Sequence, residues 1–277
     1  MGQGVDEMRP AAELYLDLLK RTLTNWINGP AEIEDLPAEQ YLRSDTLDAC
    51  RRDGVRVVRP RTFDPAQRAE GRDWPPTAET MAGLKRLDNL QACVESVLRD
   101  GVPGDLIETG VWRGGSCILM RAVLKTHGAT DRTVWVADSF VGLPPPNADK
   151  YPLDSGLDLH LYPFLAVSLE QVRANFRKYD LLDERVKFLK GWFKDMLPAA
   201  PIERLAEIRL DGDLYESTTD ALVSLYPKLS VGGYVIIDDY GAVDACAQAV
   251  TDFRNRHGIG DEIKKVDWTG AYWRRSR

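Results

Sequence analysis

Two short stretches of this chain end in carboxylates. Ile208-Arg209-Leu210-Asp211-Gly212-Asp213-Leu214-Tyr215-Glu216 runs from apolar residues into acids, and Gly233-Tyr234-Val235-Ile236-Ile237-Asp238-Asp239-Tyr240 repeats the plan. Each reads as a buried strand stopping at the carboxyl edge of a sheet, where open α/β folds place their ligands. Asp211, Asp213, Asp238 and Asp239 would repel one another there unless a cation held them. Hard oxygen donors of this kind suit Mg²⁺, which takes a few carboxylates and leaves room for substrate oxygens. A single strand-end Asp is more simply a cap of the next helix or turn. Two such ends in one chain favour a site.

A third stretch, Glu108-Thr109-Gly110-Val111-Trp112-Arg113-Gly114-Gly115-Ser116, joins a strand to a helix. Glycines allow a tight turn and close backbone approach, and a helix N-terminus offers free amides. The spacing departs from the G-x-G-x-x-G of dinucleotide binders, and a purely structural glycine turn accounts for it nearly as well. Asp138, ending the following strand, strengthens the ligand reading, because an acid at that place commonly grips ribose hydroxyls. A nucleoside-binding loop with an acid at its mouth and no phosphate-binding lysine fits S-adenosylmethionine. That cofactor has no phosphates, and its ammonium and sulfonium groups tolerate acidic surroundings.

The elements that must position these residues alternate. Strands are expected at Asp105 to Glu108, Thr133 to Asp138, Val186 to Gly191, Ile208 to Asp211 and Tyr234 to Asp238. Helices are expected at Ser116 to Thr126, Ser168 to Lys178, Thr218 to Tyr226 and Ala242 to Arg256, with Ile263 to Trp268 and Gly270 to Trp273 as a closing antiparallel pair. Such alternation predicts a mainly parallel sheet covered on both faces. Ahead of it, Thr80 to Arg99 has a core-type apolar stripe, with Met81 placed where it could face a ligand. Ala11 to Asn28 reads as an amphipathic helix carrying Leu14, Tyr15, Leu18, Leu19, Leu23 and Trp26. The stretch between them, to Pro75-Pro76, is weakly periodic and reads as a loop-like or short-helical extension rather than a second core. Val141 to Phe164 is too long and proline-bearing for a plain connector and reads as a lid or binding loop.

Bulk properties narrow the function classes. A net charge of −7 argues against nucleic acid as the main partner, since phosphate binding needs a basic face. The basic runs at Arg51-Arg52, Arg56 to Arg61 and Trp273 to Arg277 are expected to be solvated faces. No apolar run approaches the roughly 20 residues that span a bilayer, and the N-terminus lacks a signal-peptide pattern, so the expectation is a cytoplasmic protein. Met8 is a second candidate start, which would make Met1 to Glu7 non-native. Cys50, Cys93, Cys117 and Cys246 form no C-x-x-C pair, and only His127, His160 and His257 accompany them, so reduced buried thiols are expected rather than a zinc site.

Taken in order, E-T-G-V-W-R-G-G-S, A-D-S-F-x-G-L-P, L-D-G-D-L-Y-E-S-T and I-I-D-D-Y resemble the macrocin O-methyltransferase family, over about Thr80 to Trp273. Its members are metal-dependent and methylate sugar hydroxyls in antibiotic biosynthesis, and the chain is similar within it to those that methylate the noviose 4-hydroxyl of aminocoumarins such as novobiocin. The resemblance implies a Rossmann-like class I methyltransferase fold, with a seven-stranded, mainly parallel sheet and helices on both faces. Residues 1–79 would be a helical or irregular extension and 80–277 the catalytic domain, with a lid at about 141–165. It places Glu108, Gly110 and Ser116 around the methionine part of S-adenosylmethionine, Asp138 on the ribose with Ser139 and Phe140 beside it, and Trp192 near the adenine. For Trp192 a core aromatic is an equal reading. Asp211, Asp238 and Asp239 would hold Mg²⁺ and Asp213 would be the general base, a role for which Asp211 also qualifies. The implied partner is a small-molecule glycoside.

Two other readings compete. Asp211-Gly212-Asp213 resembles the D-x-D core of Mg²⁺-dependent aspartyl phosphatases, although Tyr215 stands where those proteins usually carry Thr or Val and the motif lies late in the chain. A catalytically silent nucleoside-binding protein is the third reading, disfavoured because all four acids are intact. Tyr15, Leu19 and Trp26 supply either a core face or an exposed packing face, and a homodimer is the expectation.

Overall fold

The protein is described by a computed structural model, and the described residues are 10–277; the second start at Met8 lies outside them. Five strands form the parallel part of the sheet: β3 (Asp105–Thr109), β4 (Val134–Asp138), β5 (Val186–Lys190), β6 (Leu205–Leu210) and β7 (Leu229–Ile237). Two short strands, β1 (Ile33–Asp35) and β2 (Val58–Pro60), precede them as a separate antiparallel pair. The chain closes with β8 (Lys264–Lys265) and β9 (Ala271–Arg274). The seven-stranded order is β5-β4-β3-β6-β7-β9-β8, with β9 antiparallel to both of its neighbours. The chain starts at β3 in the middle, runs out to β5 and returns to the other side at β6. The order therefore reverses between β3 and β6, the crevice at which doubly wound sheets take ligands.

Nine helices complete the described fold: α1 (Ala11–Leu23), α2 (Ser44–Asp53), α3 (Pro65–Glu70), α4 (Leu84–Arg99), α5 (Gly115–Thr126), α6 (Leu169–Lys178), α7 (Phe193–Met196), α8 (Tyr215–Leu225) and α9 (Asp244–Arg256). Apolar side chains of α1, α4, α5 and α6 cover one face of the sheet, and those of α8 and α9 cover the other. Parallel strands buried on both sides carry near-continuous apolar runs, as Leu106-Ile107 and Val134 to Ala137 do.

Several boundaries differ from the sequence reading. α1 ends at Leu23 rather than Asn28, because Asn25 takes a left-handed conformation (φ 52) and the Trp26 N–H turns back to the Arg21 carbonyl. Its buried face is Leu16, Leu19 and Leu23, while Leu14, Tyr15 and Leu18 are exposed. Trp26 leaves the helix and packs edge-on against Phe63 at 5.5 Å. α4 begins at Leu84, after Gly83 has passed hard against the Gly71 backbone. Met81 thus sits in the turn before the helix.

The stretch between α1 and α4 holds more order than its weak periodicity suggests, yet α2 buries none of its residues. An ionic cluster fastens it: buried Arg68 pairs with Glu32 at 2.8 Å and Asp73 at 2.7 Å and donates to the Thr24 and Asn25 carbonyls. The terminal basic run is structural rather than merely solvated. Arg274 pairs with Asp100 at 2.6 Å, and Arg275 donates to the Tyr226 and Leu229 carbonyls. Residues 139–168, between β4 and α6, form an irregular segment with three single 3₁₀ turns. All four cysteines are free thiols.

Candidate active site

The sheet ladder continues past the strand ends, and this continuation builds the site. Gly110 donates to the Ala137 carbonyl at 2.9 Å, Asp211 to Thr109 at 2.9 Å and Asp238 to Leu210 at 2.9 Å. Three acidic turns are thereby held side by side at the switch point. Gly110 is required here: its φ is +82, and a Cβ on it would lie 1.7 Å from the Asp211 carbonyl oxygen. The glycine loop and the D-G-D turn touch backbone to backbone.

A cavity of about 930 Å³ opens over these ends. Glu108, Gly110, Ser116, Asp138, Ser139 and Trp192 line one part of it, and Asp211, Asp213, Asp238 and Asp239 line another. Every expected site residue except Phe140 faces this space. The Phe140 ring is buried in the core, tilted against Phe188 at 6.5 Å, and φ of 58 turns it away. Its backbone N–H still serves the site by donating to Asp138 Oδ1 at 2.7 Å. Val111 N donates to Asp138 Oδ2 at 2.8 Å. The Asp138 carboxylate is therefore fixed by two backbone amides, one from the glycine loop and one from the turn after β4, and burial holds its pKa above the usual carboxylate range. Trp192 lies at the cavity wall and is only half-buried. Met81 also reaches the cavity.

Side-chain oxygens of Asp211, Asp238 and Asp239 lie within 4.8 Å of one another. Burial, and after it the charge of Asp238, raises the pKa of Asp211 well above the usual carboxylate value. Asp239 is raised in the same way, by burial and then by Asp213 and Asp211. Asp213 is pushed up to about 6 by burial and the charge of Asp238. It sits in a left-handed turn (φ 56), and its N–H donates to Asp239 Oδ2 at 3.1 Å.

Two arginines, absent from the sequence reading as site residues, share these acids. Arg209 is fully buried and pairs with Glu108, with Asp238 and, at 2.8 Å, with Asp211. Arg86 of α4 pairs with the other oxygen of Asp238 and, at 3.1 Å, with Asp267. Arg209 had a visible signal. A charged residue inside an apolar strand is almost never fully buried without a partner, and Ile208-Arg209-Leu210 ends in an acid. Arg86 had none, because its partners lie far along the chain. Glu207, two residues before Arg209, is also fully buried, and burial raises its pKa well above the ordinary value.

Comparisons with known proteins point to one family. The sequence profile of the Macrocin-O-methyltransferase (TylF) family matches residues 12–275. An 8-demethyl-8-(2,3-dimethoxy-alpha-L-rhamnosyl)-tetracenomycin-C 4'-O-methyltransferase of Streptomyces olivaceus is 58% identical over 265 residues, covering 95% of this chain and 93% of that protein. Demethyldecarbamoylnovobiocin O-methyltransferase of Streptomyces niveus is 58% identical over 273 residues, covering 98% and 97%. The solved structure of the O-methyltransferase NovP superposes with a TM-score of 0.83 at 50% identity, over 96% of this chain and 100% of that one. The calicheamicin methyltransferase CalS11, at 19% identity and a TM-score of 0.57, shares the fold alone.

The architecture is the Rossmann-like class I methyltransferase fold, with the cavity at the β3/β6 switch point. The chain belongs to the macrocin O-methyltransferase family and is an O-methyltransferase. That membership sets aside both the phosphatase and the silent-binder readings. Among the described residues no helix is long and apolar enough to cross a membrane.

Proposed function

We propose that this enzyme transfers a methyl group from S-adenosylmethionine to a sugar hydroxyl of a glycosylated antibiotic precursor, with Mg²⁺ at Asp211, Asp238 and Asp239. The observation that carries the reading is the shared cavity: the nucleoside-type residues and the acid cluster line one space, joined where Gly110 meets Asp211. The lining fits the cofactor. Acids surround the glycine loop, and of the two lining cations, Arg86 and Lys194, the first is already committed to Asp238 and Asp267. A sulfonium nucleoside suits such walls and a phosphorylated one does not. The donor set fits the metal too, being three converging carboxylates with hard oxygens.

When bound, S-adenosylmethionine would supply the methyl group as an electrophile, and Mg²⁺ held by Asp211, Asp238 and Asp239 would stabilise negative charge developing on the acceptor oxygen. The remaining work falls to the chain. Glu108, Gly110, Ser116, Asp138, Ser139 and Trp192 bind and orient the cofactor. Asp213 accepts the proton from the acceptor hydroxyl on a side-chain oxygen. Arg209 and Arg86 fix the direction of Asp238. Residues 141–165 act as a lid, with Leu157, Leu159, Tyr162 and Phe164 facing the cavity to exclude water and meet the acceptor.

The acceptor class follows from relatives of equal identity that act on different glycosides, the rhamnosyl tetracenomycin and demethyldecarbamoylnovobiocin. A noviosyl aminocoumarin is therefore the first acceptor to try and a rhamnosyl polyketide the second. Residues 80–277 carry the catalytic domain and 1–79 its extension, the enzyme works in the cytoplasm, and the exposed Leu14, Tyr15 and Leu18 of α1 support a homodimer. The test is calorimetric titration with S-adenosylmethionine, with and without Mg²⁺, followed by transfer assays on both glycosides. Cofactor binding and Mg²⁺-stimulated transfer are expected. A protein that binds no S-adenosylmethionine under either condition refutes the reading.

A further inference from the structure

The lid segment carries an acid with no place in the cavity. Asp154 lies in the first 3₁₀ turn of this segment, is completely buried and does not line the cavity. Its carboxylate is spent on α8. Oδ1 accepts the Tyr215 N–H at 2.6 Å and Oδ2 accepts the Glu216 N–H at 3.1 Å. These are the first two amides of the helix, which have no partner within it. The residue at the helix's own cap position is Leu214, whose side chain cannot accept a hydrogen bond, and none is made. α8 is thus capped from sixty-one residues away, by a different part of the fold. The Tyr151 ring packs against the Tyr215 ring at 5.7 Å and seals the contact.

What α8 follows makes this cap consequential. Asp213 stands two residues before Tyr215, in a left-handed turn closed by a 2.6 Å hydrogen bond from Leu214 N to the Gly212 carbonyl. That conformation is costly for a residue with a Cβ and persists only where the surroundings impose it. One side of the turn is imposed by Asp239, which accepts the Asp213 N–H. The other is the start of α8, held by Asp154. A second tie joins the same segment to the glycine loop: Trp112 Nε1 donates to the Phe164 carbonyl at 2.8 Å. The segment is therefore fastened at one point to the cofactor loop and at another to the helix that follows Asp213.

We propose that Asp154 is a positioning residue: by capping α8 from the lid segment, it holds the Gly212–Leu214 turn and so aims Asp213 at the acceptor. This rests on the reading of Asp213 as the base. Asp154 touches neither acceptor nor cofactor, so its removal acts on turnover rather than on cofactor binding.

The experiment uses the full-length protein and two variants, Asp154→Ala and Asp154→Asn; the amide of the second keeps one acceptor oxygen. Amide hydrogen exchange over residues 211–218 needs no turnover. In Asp154→Ala it is expected to rise at least about tenfold at Asp213, Tyr215 and Glu216 together, with helices α4 and α5 unchanged. With an acceptor that the native enzyme turns over, kcat is expected to fall at least about tenfold, while acceptor KM and the S-adenosylmethionine Kd stay within about threefold. Asp154→Asn should recover part of both losses. Exchange at Asp213 that stays native-like in the variants overturns the proposal, as does a native kcat in either. So does a loss of kcat matched by an equal loss of cofactor affinity, which would mark a general structural role. If Asp154→Ala does not fold, Asp154→Asn alone decides on the same readouts. If the native enzyme methylates neither glycoside, the functional reading fails while the exchange result still judges the cap.

Discussion

Arg209 and Asp238 leave neighbouring parallel strands and meet side chain to side chain beneath the cavity, with Glu108 on the other side of the same guanidinium. Buried charges are tolerated only when paired, and removing one member of a buried ion pair is far more damaging than replacing the whole pair. Replacing Arg209 with Met should therefore lower stability by about 3–5 kcal/mol. Denaturant unfolding would measure it. A loss below about 1 kcal/mol would show that Glu108 and Asp238 do not depend on this cation.

Asp213 carries the proton step in the proposed reaction. Asp213→Asn should reduce kcat by about 10²–10⁴-fold while leaving the S-adenosylmethionine Kd nearly unchanged. Steady-state kinetics with calorimetry decides it. Native-like turnover would move the base role to Asp211, and chelator-treated enzyme then offers the companion test of Asp238 and Asp239. Replacing either with Ala should abolish the recovery of activity on adding Mg²⁺.

Gly110 can be tested against a glycine of similar conformation and different surroundings. Gly110→Ala would drive a methyl group into the Asp211 carbonyl, whereas Gly54, with φ of +67, has nothing within 4 Å of an added Cβ. Gly54→Ala should cost only the backbone strain, about 1–2 kcal/mol. Gly110→Ala should cost more and weaken cofactor binding at least about tenfold as the two loops separate. Equal melting temperatures and equal cofactor affinities for the two variants would contradict the account.

Asp220, on α8 at the cavity wall, gives a pH-dependent prediction. Burial, followed by the charge of Glu216, raises its pKa to about 6. A carboxyl group with a raised folded pKa contributes its stability below its ordinary pKa and loses it as pH rises through the folded value. Asp220→Asn should therefore be more thermostable than the native protein at about pH 8, by a few degrees, with the gap closing toward about pH 4. Scanning calorimetry at the two pH values is the check. A gap of the opposite sign, or one independent of pH, would reject the cause given for the shift.

The sequence exposed those parts of the site whose geometry is local. Apolar runs ending in acid mark β6 and β7, and the glycine loop marks the turn after β3, because burial and turn chemistry are written in adjacent residues. The first halves of two strands escaped. β6 starts at Leu205 and β7 at Leu229, earlier than their apolar runs suggest, since Glu207 and Gly232-Gly233 interrupt the pattern and the register shifts beside Leu205. Only pairing across the sheet holds those segments extended. The orientation of the Phe140 ring is illegible for a similar reason: its neighbours Asp138 and Ser139 face the cavity, but its left-handed backbone sends the ring to the core. Arg86 and Asp154 were illegible because their partners are remote; Asp238 and Tyr215 are reached only through the tertiary fold.

The switch-point order of the sheet also decides which parts of the chain must meet before the acid cluster exists. Glu108 and Arg209 are 101 residues apart in the chain, and Arg86 and Asp238 are 152 apart. Contacts of such long range carry a large loop-closure cost. The ionic floor beneath the cavity cannot close until both halves of the sheet have found their register. Both of these contacts join distant parts of the chain, so a change that disturbs the register of the sheet disturbs the acid cluster with it.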